Sequence, residues 1–334
     1  MTQPTTPVIR TRGLTKTFTR HQQVVAAVRD LDLTVEDGEL VAFLGPNGAG
    51  KSTTLKMLTT LIAPTSGTAE VAGHDVVREQ RAVRRSLGYV GQGNAAGHQQ
   101  RGRDEVVSQA RAHGLSRSAA ATRADELLAA FDLTEHAGRP VSTLSGGQRR
   151  RLDVAIGLVH QPRLMFLDEP STGLDPQNRV NLQEQVQRLN RELGTTIVLT
   201  THYLEEADAI ADRVVVIDHG RMIADDSATR LKSGLGDLVS LGFAGPDDAA
   251  RAAERARRID GASVCVDGSA VRVRVAHGRD LAPGLVTDLA AAGTPATRLE
   301  VVGATLDDVF LHLTGRSLRE TDSTTPTQTE GAAA

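Results

Sequence analysis

The sequence predicts an α/β domain that carries a helical insertion and is followed by a small α+β domain. Three observations predict it. Short, almost wholly apolar runs alternate with helix-like segments over about the first 235 of 334 residues. Between Asp104 and His160 the pattern turns helical, with no convincing strand. Near Gly236 a second alternation begins, in a different order. A chain of this length has room for one large domain and a smaller one, each with its own core.

In the first domain, strands are expected at "LDLTV" (31–35), "ELVAFLG" (39–45), "TAEVAG" (68–73), "RLMFLDE" (163–169), "TIVLTT" (196–201) and "RVVVIDHG" (213–220). Runs this apolar suit a sheet covered on both faces. The second domain, 236–318, starts with the strand "LVSLGFAG" and the helix "DDAARAAERARRI". Two strands then flank the turn "DGS", followed by a helix through "APGLVTDLAAAG" and a strand at "TRLEVVG". That order, βαββαβ, is the ferredoxin-like arrangement. In "TLDDVFLHLTG", Leu306, Val309, Phe310 and Leu313 fall on one helix face. The polar, low-complexity residues 319–334 read as a disordered tail.

Composition narrows the function. A net charge of −3 gives no push toward nucleic acid, and 2% aromatics without Trp leave no stacking platform for single strands. The single cysteine, Cys265, rules out an intrachain disulfide and a thiolate-cluster metal site, and is expected as a partly buried core thiol. The polar N-terminus lacks a targeting pattern. The longest aliphatic stretches fall far short of the about 20 residues that span a membrane. Alone, the chain is expected to be soluble and cytosolic.

The chemistry lies in a few short motifs. "GPNGAGKST" follows an apolar strand and opens onto a helical pattern, the context that a phosphate-binding loop requires. Gly45, Gly48 and Gly50 let the backbone curl so that its N–H groups face a phosphate, with Pro46, Asn47, Ala49 and Thr53 completing the cradle. Lys51 supplies a point charge to the β- and γ-phosphates and Ser52 a hydroxyl to Mg²⁺. "RLMFLDEP" places two acids at a strand end: Asp168 to hold the metal through its water shell, Glu169 to face the attacking water as general base. A second glycine pair, in "LSGGQ", opens another helix; Ser145 is its cap, and Gly146 and Gly147 leave backbone N–H groups bare toward an anion. Arg149–Arg151 follow and are expected along the helix surface, at an interface.

"LSGGQ" (144–148), "LDEPSTGLD" (167–175) and "TTH" (200–202), in this order after the phosphate loop, resemble the ATP-binding subunit of ABC transporters. The likeness implies a P-loop ABC-type ATPase domain at 1–235 with a helical subdomain at about 104–160, ATP and Mg²⁺ as cofactors, and two copies paired head to tail. Ser145, Gly146, Gly147 and Gln148 would then close over the ATP of the other copy. His202 resembles the switch histidine at the γ-phosphate. Gln92, in "GYVGQGN", resembles the glutamine that binds Mg²⁺ or water and senses the membrane partner, although the glycine-rich continuation departs from the commonest form. Phe18, in "LTKTF", stands where the family stacks an aromatic ring on adenine. Asp175 matches the acid that links the two active sites.

The end "ATLDDVFLHLTGRSLRE" resembles the daunorubicin/doxorubicin-resistance type of subunit. This implies an ATPase that energises export of drugs or lipophilic metabolites through a separate transmembrane permease subunit, is peripheral on the cytoplasmic side of the cell membrane and is a homodimer when ATP is bound. The 236–318 domain would serve accessory or dimerisation roles. The alternative is a non-transport ABC-class ATPase. DNA-repair members insert coiled coils or cysteine clusters between the two phosphate motifs, ribosome-associated ones normally carry two cassettes, and assembly factors lack the second domain. None of these features fits here.

Overall fold

The structure is a computed structural model and describes residues 7–20, 23–93, 96, 97 and 99–315; the expected tail at 319–334 lies outside them. Two compact units divide the chain between Asp225 and Asp226.

The first unit opens with two long strands, β1 (Ile9–Arg20) and β2 (Gln23–Val35), paired antiparallel from Ile9↔Val35 to Arg20↔Gln23. β3 (Leu40–Leu44) leads through the phosphate loop into α1 (Lys51–Leu58). Next come β4 (Ser66–Val71), β5 (His74–Asp75), α2 (Gln80–Ser86) and β6 (Leu87–Val90). The helical region holds α3 (Gly102–Ala112), α4 (Arg117–Ala130) and α5 (Gly146–Gly157), as expected for 104–160. The unit continues with β7 (Leu164–Asp168), α6 (Pro176–Leu193), β8 (Thr196–Thr201), α7 (Leu204–Ile210), β9 (Arg213–Asp218) and β10 (Arg221–Asp226).

These strands form two sheets rather than the expected one. The six-stranded sheet runs β10-β9-β3-β8-β7-β6, with β9, β3, β8, β7 and β6 mutually parallel. Every residue of β3, β7 and β8 is buried, which matches their unbroken apolar runs. "LDLTV" and "TAEVAG" instead belong to a four-stranded sheet, β2-β1-β4-β5. There burial alternates along β2 and at the end of β4, because only one face meets the core. α1 packs against β2, β4 and β7, so Leu55 and Leu58 share a core with Leu33, Val71 and Phe166. Parallel pairing sets Leu44 opposite Thr201 and Asp168 opposite Thr200. The loops after β3, β7 and β8 therefore leave the sheet at one edge, where open parallel sheets bind ligands.

The second unit begins with α8 (Ala228–Leu235), ahead of the break expected at 235/236, because α8 packs on the last helix of this unit. It continues with β11 (Asp237–Gly242), α9 (Pro246–Ala256), β12 (Ser263–Asp267), β13 (Ala270–Val275), α10 (Gly278–Ala291), β14 (Arg298–Val302) and α11 (Leu306–Thr314). The sheet order β12-β13-β11-β14, antiparallel throughout, is the ferredoxin-like one. Four alanines of α9, Ala249, Ala252, Ala253 and Ala256, are buried over Val239, Leu241, Val271 and Val273; such short side chains let the helix lie close to the sheet.

Two expectations fail here. Leu306, Val309 and Phe310 are buried, but Leu313 is 43% exposed, because the helix ends one residue later and its last turn projects past the packed face. Cys265 is exposed, since it stands opposite Arg272 on edge strand β12, on the face away from the Val264–Val273 pair.

Candidate functional site

The phosphate loop is shaped by its backbone. The Ala49 N–H donates to the Pro46 carbonyl at 3.1 Å, closing a turn, and Gly50 caps α1 at φ 109°. A Cβ on Gly50 would stand 2.4 Å from the Ala27 carbonyl oxygen, so this position admits glycine alone. The loop borders a cleft of about 140 Å³ lined by Asn47 to Thr53, Gln92 and Glu169. Lys51 is 3% exposed; its Nζ donates to the carbonyls of Gly45 (2.6 Å) and Pro46 (3.0 Å) and lies 3.9 Å from Glu169 Oε1. An ammonium and the N-terminus of α1 together favour an anion.

The acids arrive from β7. Asp168 Oδ1 accepts hydrogen bonds from Ser52 Oγ (2.8 Å) and Thr200 Oγ1 (2.7 Å), and Gln92 Nε2 lies 3.4 Å from Ser52 Oγ. A hydroxyl and a carboxylate oxygen, with an amide side chain beside them, are the kind of hard-oxygen donors that suit a small divalent cation. Glu169 follows at φ 47°, in the left-handed region. Its N–H donates to Thr200 Oγ1 at 2.9 Å, and its carboxylate faces Thr172 Oγ1 (3.3 Å) and His202 Nδ1 (3.7 Å). His202 above all, then the Lys51 charge, holds this carboxyl below the ordinary glutamate value, against the upward push of burial. These contacts favour the carboxylate form of Glu169. Sequence reasoning missed Thr200, whose hydroxyl ties the two acids together; a threonine at the end of a fully buried strand was the available signal.

"LSGGQ" forms a different arrangement. Ser145 Oγ accepts from the Gln148 N–H (3.2 Å) while Gln148 Oε1 accepts from the Ser145 N–H (3.0 Å), a reciprocal capping box. Gln148 Nε2 also meets His136 Nε2 at 2.9 Å. Gly146 is open, whereas Gly147 is buried: a Cβ there would come within 2.3 Å of Asn178 Oδ1. Asn178 is held by Asp175, which caps α6 through the Asn178 N–H (2.8 Å) and accepts from Asn178 Nδ2 (3.0 Å). None of Ser145 to Gln148 lines the phosphate cleft of the chain. The expectation that Arg149–Arg151 lie along the helix surface at an interface is corrected for Arg150 alone, since Arg149 and Arg151 are partly exposed. Arg149 donates to the Val141 carbonyl, Arg151 to that of Phe131, and Arg150 is buried.

Residues 28–172 match the family model described as ABC transporter. The chain is 44% identical over 297 residues, 88% of its length and 92% of the relative's, to the daunorubicin resistance ATP-binding protein DrrA3 of Streptomyces coeruleorubidus. It belongs to the ABC transporter ATP-binding family. The cassette is also 34% identical over 296 residues, 88% of its length and 95% of the relative's, to the linearmycin resistance ATP-binding protein LnrL of Bacillus subtilis. A dimeric ATP-binding cassette in a post-hydrolysis state, bound to ADP and Pi, matches with a TM-score of 0.61 at 25% identity, covering 66% of this chain and 98% of that one. As a member of this family the chain binds ATP and hydrolyses it.

Phe18 lies on β1 opposite Val25 and is 43% exposed, with Lys16 Nζ 5.1 Å from its ring centre, so its π face is not spent on the core. A larger hollow in the first unit, about 410 Å³, is lined by Asp37, Arg163 and Thr195 at the opposite, N-terminal ends of the parallel strands. It has no glycine-rich turn and is not the nucleotide site. Among the described residues, no helix is long and apolar enough to cross a membrane.

Proposed function

We propose that this cassette is the ATP-hydrolysing subunit that energises export of drugs or lipophilic metabolites through a separate transmembrane permease subunit, from the cytoplasmic face of the cell membrane. The single observation that carries the reading is a division of labour. One sheet edge gathers Lys51, Asp168, Glu169 and His202 around the phosphate cleft, while the capped, glycine-faced end of α5 stands outside it. An anion-binding helix end with nothing to bind in its own chain fits the nucleotide of a second copy. The resistance roles of both relatives support the cargo class.

In this reading Gly45 to Thr53 wrap the phosphates, Lys51 meets the β- and γ-groups, and Phe18 stacks on adenine. Ser52, Asp168 and Gln92 would hold Mg²⁺, which when bound neutralises phosphate charge. Glu169 takes the proton of the attacking water, and His202 meets the γ-phosphate. Ser145, Gly146, Gly147 and Gln148 of one copy complete the site of the other, with Asp175 near the junction. Closure on ATP and reopening after hydrolysis would pass to the permease near Gln92.

Glu169→Gln tests the reading. It should retain ATP binding, lose about 10²–10⁴-fold in turnover, and show an ATP-dependent dimer by light scattering. A variant that stays monomeric at saturating ATP would falsify the shared site.

A further inference from the structure

Glu169 holds a left-handed backbone that a residue with a side chain keeps only where its surroundings fix it. Besides the Thr200 hydroxyl that accepts from the Glu169 N–H, one guanidinium braces the residues on either side. Arg150, on α5, is 8% exposed, between two arginines that are only partly buried. Its Nη2 donates to the Asp168 carbonyl at 3.0 Å and its Nε to the Pro170 carbonyl at 2.9 Å. The carbonyls of the residues before and after Glu169 are thus held by a single planar fork. The third nitrogen, Nη1, donates to the Gly91 carbonyl at 2.6 Å, directly before Gln92. Three residues further along α5, Asp153 Oδ1 accepts from the Ala96 N–H at 3.1 Å. The helix that Ser145 caps therefore grips the segment carrying Gln92 on both sides of it, and the acid turn as well.

We propose that Arg150 is a positioning residue for ATP hydrolysis: it locks Glu169 and Gln92 into one relation and makes the aim of the base depend on how α5 is seated. The proposal rests on Glu169 being the general base. The geometry demands arginine. Three carbonyls are reached from three different nitrogen atoms in one rigid plane, whereas a lysine ammonium offers all its donors from one atom.

Arg150→Lys keeps the charge and removes the fork. In the full-length chain, kcat should fall about ten- to a hundredfold, the scale of an ångström misplacement at a reacting centre, while KM and the ATP dissociation constant from calorimetry stay within about threefold. Arg150→Gln, a planar amide with two donors on one nitrogen, should show the same split, and serves if the lysine variant does not fold. In single-turnover hydrolysis of labelled ATP, adding Arg150→Lys to Glu169→Gln should cost less than about twofold more, because the group being aimed is already gone. A kcat within twofold of the parent, a matching rise in KM, or a full multiplicative loss in the double variant would each overturn the proposal. Glu169→Gln alone separates the two readings. If it keeps turnover, the base assignment is wrong; if it stalls while Arg150→Lys does not, the positioning role is wrong.

Discussion

Gly147→Ala should destabilise the nucleotide-free cassette, although replacing glycine inside a helix usually stabilises it by about 0.5–1 kcal/mol. The new Cβ would stand 2.3 Å from Asn178 Oδ1, 2.4 Å from its Cγ and 2.9 Å from its Cβ, so a rotation of the amide alone cannot relieve the clash. Asn178 must move, and with it the Nδ2 hydrogen bond to Asp175. Hydrogen bonds to charged groups contribute about 1.5–3 kcal/mol, and this one, being exposed, belongs at the lower end. Adding about 1–3 kcal/mol for overpacking and subtracting the helix gain leaves a net loss of about 1.5–4 kcal/mol. At about 2–4 °C per kcal/mol for a unit of this size, scanning calorimetry of the full chain without nucleotide should show the first unit melting several degrees lower. In an Asn178→Gly background all three clashing atoms are absent, and the same substitution should become neutral or raise the melting temperature relative to that background. That reversal of sign isolates the contact. Were Gly147→Ala as stable as the parent with Asn178 in place, Gly147 would have no packing role within its own chain.

The pH dependence of turnover follows from Glu169. A carboxyl held below the ordinary 4.5 stays ionised to lower pH, so the acid limb assigned to this group lies below that value. His202→Gln removes the largest lowering influence and leaves burial opposed by Lys51 and Thr172, so the limb of the residual activity should move to higher pH; an unmoved limb would separate the two groups. Phe18→Ala should weaken ATP binding about tenfold or more, given about 1–3 kcal/mol per stacked base, whereas Phe18→Tyr should retain affinity. Equal affinities of all three proteins in calorimetry would place the adenine elsewhere.

The parts legible in the sequence were those in which chemistry and backbone are tied at short range. A glycine-rich turn between strand and helix, two acids behind four apolar residues and a serine before two glycines each announce their local geometry. The βαββαβ order was legible for the same reason, since each element has its own period. β1 was not, because "IRTRGLTKTFTR" has no apolar run; its place between β2 and β4 comes from pairing partners that a local pattern does not name. The inward turn of Arg150 was hidden in a run of three arginines. Helical phase was the available clue, since Gly147, Arg150 and Val154 recur at i, i+3 and i+7 and all three are buried. The Gly147–Asn178 approach joins segments distant in sequence, and no spacing rule reports it.

Lys51 has a bearing on what the loop admits. Its ammonium is held by two backbone oxygens of the loop itself. An incoming anion does not meet a naked cation. It must offer enough oxygens to replace those contacts, and a single inorganic phosphate or sulfate offers far fewer than a chain of three phosphoryl groups. The expected consequence is that the loop favours oxygen-rich anions before adenine is read at all, which competition of triphosphate against inorganic phosphate would check.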